Sequence, residues 1–359
     1  MDFDLSKVQA AWREKGAALG RELAGDPAAA SVVMGAAREG LLDPRADLLA
    51  VAAAVEAMAF ESPSAAVIFA LHSGTALAVG DDERFSSLFR GETVAAVSLS
   101  SDDVPVEQGG MLSGRAPWVA PITDHGIAVV GPKSGHHLRQ GSGGQEERAA
   151  FAVPLDAPGV TIEPVRTAAL PGLMCGHVTF SDAACTPIGA TLPVMIRLRI
   201  LIAAAGLGIG RRALREALTT ARAAKTAAAG EQTVQGLLAD AATELDAAML
   251  MTWKAAAGEQ TVQGLLADAA TELDAAMLMT WKAAVAERPS LAEASMAKLA
   301  STGAVPRAVE RATQVVGADS FQRGHVIERL AQDVRALELF AGRTEALREA
   351  VAEEELPSY

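Results

Sequence analysis

Residues 199–214 read RILIAAAGLGIGRRAL, and the placing of this stretch decides the fold. Its apolar run from Ile200 to Ile209 is too short to span a bilayer, which takes about 20 residues. It is read instead as part of a helical region that starts at Pro193 and continues towards the end of the chain. Upstream the texture changes. From Thr93 to about Pro187, β-branched runs are broken by Gly, Pro and Asp, as in TVAAVSLS, GIAVVG, AAFAVPL, GVTIEPV and HVTF, which predicts a compact domain of short strands. Further upstream, residues 5 to about 90 are rich in Ala and Leu at helical spacing, as in Leu48, Val51, Ala52, Val55 and Met58, which predicts a helical first domain. The expected architecture is α+β: an N-terminal helical domain (1–92), a small middle β domain (93–190) and a C-terminal helical domain of four-helix-bundle type (191–359).

Downstream of the opening stretch, AAAGEQTVQGLLADAATELDAAMLMTWKAA stands at residues 227–256 and returns unchanged at 255–284. Old repeats drift while keeping their hydrophobic pattern, so identity at every position points to a recent duplication, not a repeat architecture. In the first copy Val234, Leu237, Leu238, Ala241, Leu245, Ala248 and Met249 recur at helical spacing, with Glu231, Gln235, Asp240, Glu244 and Asp246 on the other side. Each copy is one amphipathic helix. Joined as one rod the copies would run roughly 80 Å, with the second apolar stripe turned by about 80° from the first. One core cannot bury both stripes of such a rod, and Gly258 followed by Glu259 offers the break.

With 359 residues and half its letters apolar, the chain can bury a large core spread over two or three domains. The net charge is −13, and no Lys/Arg-rich patch is interleaved with aromatics. Phosphate contacts need clustered cations, so nucleic acid is not an expected partner. Met1 leads into Asp2 and Asp4 rather than a basic n-region, and the expectation is a cytoplasmic chain without a membrane partner. Cys175 and Cys185 stand ten apart, a spacing that fits neither a CxxC redox pair nor a zinc site, and are read as reduced thiols. His136 and His137 sit in the polar loop PKSGHHLRQGSGGQEER without further ligands nearby, so no metal is expected. The closing EEELPSY has the look of a frayed end.

A colinear series of motifs now becomes recognisable. GETVAAVSLSSDD, GRAPWVAP, GVTIEPV…HVTFSDAACTP, RILIAAAGLGIGRRAL, EQTVQGLLADAATELDAA and ATQVVGADSF…ERLAQDVRALELFAGRTEAL follow one another in the chain. From about Glu39 to Val351 this order resembles the acyl-CoA dehydrogenase family of FAD flavoproteins. Any one motif is weak; the six in order carry the resemblance. Arg199 and Gly208 match the R-x8-G that opens the family's long helix. The family has one slot for the duplicated helix, between the helix that ends near Lys225 and the one that begins near Ser290, and the sequence does not choose which copy fills it.

The resemblance implies a chemistry with specific seats. Desaturating an acyl thioester takes a carboxylate to remove the α-proton while the β-hydrogen leaves as hydride to the flavin. The family keeps this base as the Glu of E-G-T, where FAGRT places Ala341, or in some members just before the Arg of the long helix, where this chain has Leu198. Both seats lack a proton acceptor. The nearest acids are Glu338 and Glu345, about one turn to either side of Ala341; a helix sets them off its facing direction, and they read as solvated or salt-bridged helix carboxylates. For the cofactor, the resemblance assigns Leu99 and Ser100, followed by Ser101 and Asp102, to the T-E-P region, and Trp118, Val119 and Ala120 to the W-I-T segment beside the flavin. A Trp buried in a β core is the alternative reading of Trp118. Gln314 and Gly317 match the Q-x-x-G-G segment lent by a neighbouring subunit, with Ala318 in place of the second Gly. Arg343 and Thr344 stand in the E-G-T region, where Arg343 replaces the Thr and its planar fork suits a phosphate or carboxylate. The family's R-x-x-F-G is missing upstream of Gln232, and Arg222 is the nearest candidate for its Arg.

Three function classes follow from this. One is an acyl-CoA dehydrogenase-like flavoprotein acting on, or helping to oxidise, an acyl thioester. Another is a base-less partner subunit of a hetero-oligomer whose paralogous chain carries the Glu. The third is a flavin monooxygenase or other non-desaturase chemistry on the same fold. All three imply FAD and a homo- or hetero-oligomer. The apolar helices Leu291 to Val316 and Val326 to Phe340 are the expected oligomer surface.

Overall fold

The computed structural model describes residues 5–25, 27–80, 82–98, 105–131, 149–228 and 260–355. Five helices open the chain: α1 (Lys7–Glu22), α2 (Ala29–Arg38), α3 (Leu48–Glu61), α4 (Pro63–Val79) and the short α5 (Ser86–Phe89). Local chemistry sets their starts. Ser6 and Gln9 form a reciprocal capping box at α1, Asp47 accepts from Leu49 N at α3, and Pro63 occupies the first turn of α4, where its missing N–H costs nothing. α3 and α4 are apolar on almost every side and correspondingly buried, Ile68 and Phe69 completely. Gly16 lets α1 close on α3, because a Cβ there would stand 2.3 Å from Ala54 O.

His72 of α4 ties this helical layer to the sheet. Its Nε2 meets Leu88 O at 3.2 Å, and its Nδ1 accepts from Ala95 N at 3.0 Å. The two partners require an Nε2–H tautomer and a neutral ring. Complete burial holds the imidazole in that state by lowering its pKa to about 4.

The middle domain is one eight-stranded sheet, formed by β1 (Ala95–Ser98), β2 (Val106–Gln108), β3 (Met111–Ala120), β4 (Ile127–Val130), β5 (Ala149–Pro154), β6 (Val160–Val165), β7 (Cys175–Ala184) and β8 (Thr186–Ala190). The order is β6-β7-β3-β1-β4-β5-β8, with β2 paired to β3; β1 and β4 run parallel and the other pairs antiparallel. The β-branched runs of the sequence fall in β1, β4, β5, β6 and β7. β2, β3 and β8 fall outside those runs. β3 hides its period behind Gly114 and Pro117, at the two places where its pairing with β7 slips register. Cys175 is buried and free, its thiol pushed up to about 11 by desolvation, and Cys185 is free as well.

The C-terminal domain comprises α6 (Thr191–Ala228), α7 (Gln260–Val285), α8 (Leu291–Val316), α9 (Val326–Leu337) and α10 (Thr344–Glu355). By length and composition Thr191–Ala223 would suffice to cross a bilayer, more than the apolar run alone suggests. That helix is largely covered by α3, α4, α7 and α8, as a core helix is. Gly208 permits the crossing with α3: a Cβ there would meet Glu56 O at 2.1 Å. Beside the crossing the buried Glu56 takes Arg211 Nη1 at 2.7 Å.

The second copy of the duplicated segment is the one packed as α7. Leu266, Ala269, Leu273 and Ala276 face the core, while Glu272 bonds Arg307 at 2.6 Å and Arg311 at 2.8 Å on α8. The short link Ala286–Ser290 then leads into α8, whose first turn is closed by a Ser290–Glu293 capping box. Of the first copy, residues 229–256 lie outside the described residues. The predicted helix boundaries Leu291 and Val316 match α8, but α9 stops at Leu337 and residues 338–342 form a turn. Much of α8 is spent on the chain's own core, and the large apolar residues left exposed between α8 and α10 are Phe321 and Leu339.

Candidate functional site

Strand β3 carries the first seat. Trp118 stands at its second register slip with a left-handed backbone, φ +54°, and its side chain is 44% exposed. This overturns the buried-core reading: a bulge has turned the indole off the packed face of the sheet. The ring does not stand alone. His177 on β7 meets it edge-on with centroids 5.4 Å apart, and His177 Nδ1 accepts from Trp118 N at 3.4 Å. Val119 and Ala120 are fully buried, their side chains in the core on either side of the sheet, so any ligand contact they make is through backbone. β1 holds this segment in register, with Ser98 opposite Val119 and its hydroxyl donating to Pro117 O at 3.2 Å. Leu99, Ser100, Ser101 and Asp102 lie outside the described residues, as do His136 and His137.

A turn between α9 and α10 carries the second seat. Ala341 is buried and left-handed, φ +57°, and is followed by Gly342 at φ +109°. Two cations reach it from beneath. Arg199 donates Nε to Ala341 O at 3.1 Å and Nη1 to Ser295 Oγ at 2.5 Å. Lys298 donates Nζ to Gly342 O at 2.8 Å and to Glu338 O at 3.3 Å. Burial lowers the Arg199 pKa to about 10. Burial, with repulsion from Arg199, lowers that of Lys298 to about 7, while Glu338 favours its charged form. Neither cation has a carboxylate within ion-pair distance among the described residues. Leu198, the other position at which the resemblance leads one to look for a base, is buried and turned to α4, where Gly74 makes room for it: a Cβ on Gly74 would stand 2.9 Å from Leu198 Cδ2.

The remaining sequence-derived residues lie apart from these seats. Gln314 is exposed in the last turn of α8, and Gly317 caps that helix at φ +74° with open space where a Cβ would be. No hydrogen bond or ring contact joins either of them to β3 among the described residues. Arg343 and Glu345 are exposed, Glu338 and Thr344 half-buried, and Thr344 starts α10. Arg222 is exposed near the end of α6. Sequence reasoning missed His177 and Lys298. For Lys298 a signal existed: it continues the buried stripe Ala294, Ala297, Ser301 of α8, where a lysine is out of place unless something receives its charge.

Comparison with known proteins adds to this geometry. A family model for the acyl-CoA dehydrogenase C-terminal domain matches residues 192–261 and again 256–356, so the match restarts at the duplication and takes in one copy each time. The short-chain specific acyl-CoA dehydrogenase of Bos taurus mitochondria is 27% identical over 263 residues, 69% of this chain and 57% of that protein. A 3-sulfinopropanoyl-CoA desulfinase of Paraburkholderia xenovorans is 29% identical over 213 residues, 55% of this chain and 48% of the other. The chain thus spans about half the length of the curated relatives it matches. Among solved structures, butyryl-CoA dehydrogenase of Megasphaera elsdenii superposes with a TM-score of 0.75 at 16% identity, covering 99% of this chain and 100% of the other. PigA with FAD and proline does so with 0.76 at 18% identity, covering 99% of each. Residues 192–356 thus carry an acyl-CoA dehydrogenase C-terminal domain, the curated relatives include acyl-CoA dehydrogenases, and the fold of the whole length is the one seen in butyryl-CoA dehydrogenase.

Proposed function

We propose that this chain is an FAD-dependent flavoprotein acting on, or helping to oxidise, an acyl thioester, with the family's base seat formed but without a base in it. The observation that carries the reading is the buried turn at Ala341, held in place by Arg199 and Lys298 yet ending in a methyl group that accepts no proton. The residues on β3 suit a flat aromatic cofactor: an exposed indole, backed by an imidazole, offers a stacking face. FAD bound there would supply the two-electron acceptor. Trp118 would orient it, the packed sheet behind Val119 and Ala120 would exclude water from one side, and Ala341 would leave the α-proton of an acyl chain in place. Solved relatives with FAD bound support the cofactor.

Two features bear on how the missing base is made good. Gln314 and Gly317 are exposed and unconnected to β3, which suits a segment offered to a second subunit, either a copy of this chain or a paralogue that carries the Glu. Oligomer and cytoplasmic location belong to the same proposal. The desulfinase relative favours a second reading, because a desulfinase breaks a carbon–sulfur bond and need not take an α-proton. The test is a visible spectrum of the purified chain, followed by anaerobic addition of a saturated acyl-CoA. Bound flavin that stays oxidised is the expected result. Flavin reduction at a rate typical of dehydrogenases would show that a base is present after all, and a colourless protein would remove the cofactor from the account.

A further inference from the structure

We propose that Lys298 is a positioning residue: it holds the 338–342 turn in the conformation that presents residue 341 to the site. The turn follows the C-terminus of α9, where the last carbonyls of a helix have no partner within it. Lys298 Nζ takes up two of the carbonyls on the turn, Glu338 O and Gly342 O, while Arg199 takes the one between them, Ala341 O. Three donations from two side chains thus fix the two consecutive left-handed residues, Ala341 and Gly342. A positive group at a helix C-terminus also meets the favourable end of the helix dipole.

The alternative is that Lys298 serves only the packing of α8. Its place on that helix argues against this, since a methionine or leucine would fill the same stripe between Ala294 and Ser301 without desolvating an ammonium. The side chain is completely buried, its electrostatic neighbours are Arg199, which opposes its charge, and Glu338, which favours it, and its polar contacts all go to the turn. Gly342 lies close against the cluster: a Cβ there would stand 3.3 Å from Arg199 Nη2.

The test compares wild type with Lys298→Met and Lys298→Arg by amide hydrogen exchange, reading the peptide over residues 338–345 against one over 291–316. The expected result is exchange about tenfold faster in the 338–345 peptide of Lys298→Met, no change in the 291–316 peptide, and recovery of most of the protection in Lys298→Arg. Unchanged exchange at 338–345, or an equal rise in both peptides, would overturn the proposal. If Lys298→Met does not fold, Lys298→Gln gives the same comparison. A second readout uses Ala341→Glu as background, where adding Lys298→Met should slow flavin reduction by an acyl-CoA about tenfold with little change in acyl-CoA affinity. That readout rests on the acyl-thioester reading and the exchange readout does not, so the two fail separately.

Discussion

Trp118 and Ala341 hold nearly the same left-handed backbone angle in opposite settings. Such a conformation costs a non-glycine residue about 1 kcal/mol or more, so each must be held by its surroundings. Trp118 is exposed on a strand bulge, with an imidazole behind it and β1 alongside. Ala341 is buried on a turn, with two cations beneath it. The first is open and aromatic, which suits the planar ligand proposed for it. The second is buried, with three of its turn carbonyls taken up by Arg199 and Lys298, and its side chain is a methyl group. On the proposed reading, what the chain lacks is one side chain at position 341 rather than the turn that holds it.

The two seats also answer to different ends of the pH scale, which gives the sharpest way to break the comparison. Lys298 has a folded-state pKa of about 7 against an ordinary 10.5, so the folded form binds fewer protons between these values and stability rises with pH across that window. The gain should reach about 4 kcal/mol between pH 7 and 10.5, measured by urea unfolding, and Lys298→Met should abolish the slope. An identical slope in the variant would mean that Lys298 is not the group responsible. His72 supports the other seat, since it holds β1, which pairs with the strand of Trp118. Its pKa is lowered to about 4 from 6.5. The stability it contributes is fully present above 6.5 and is lost as pH falls to about 4, a change of about 3 kcal/mol. His72→Gln should flatten that acid limb.

Smaller effects separate the seat from the scaffold around it. Trp118→Ala should weaken FAD retention about tenfold with little change in the far-UV circular dichroism, because the indole is exposed and supports no core. Parallel loss of flavin and of helical signal would return Trp118 to a structural role. Deleting residues 227–254 removes one copy of the duplicated helix and leaves an identical one to form α7. Its effect on stability should stay below about 1 kcal/mol in a denaturant titration, and a variant that unfolds or sheds its cofactor would show the extra copy to be part of the site.

What the sequence made legible, and what it did not, follows the same division. The helix–sheet–helix plan could be read because periodicities of 3.6 and 2 repeat over long stretches. Arg199 and Gly208 were paired by their resemblance to the family's R-x8-G; in the structure that spacing sets them on opposite faces of α6, one clamping the Ala341 turn and the other crossing α3. β3 was missed because Gly114 and Pro117 interrupt its alternation at the register slips that expose Trp118. The choice between duplicated helices was illegible in principle, as identical segments have identical propensities and only tertiary placement distinguishes them. Lys298 and His177 were missed because their roles depend on partners distant in sequence, Gly342 in one case and Trp118 in the other.

The central claim is that the second seat is intact except for its carboxylate, and Ala341→Glu tests it most directly. The variant, with flavin bound, is mixed anaerobically with a saturated acyl-CoA, and the decay of the oxidised flavin spectrum is followed beside wild type. A positioned base contributes about 100-fold or more to proton abstraction, so the account predicts reduction at least about 100-fold faster than in wild type. A variant that folds, keeps its flavin and binds the acyl-CoA yet reduces no faster than wild type would contradict it.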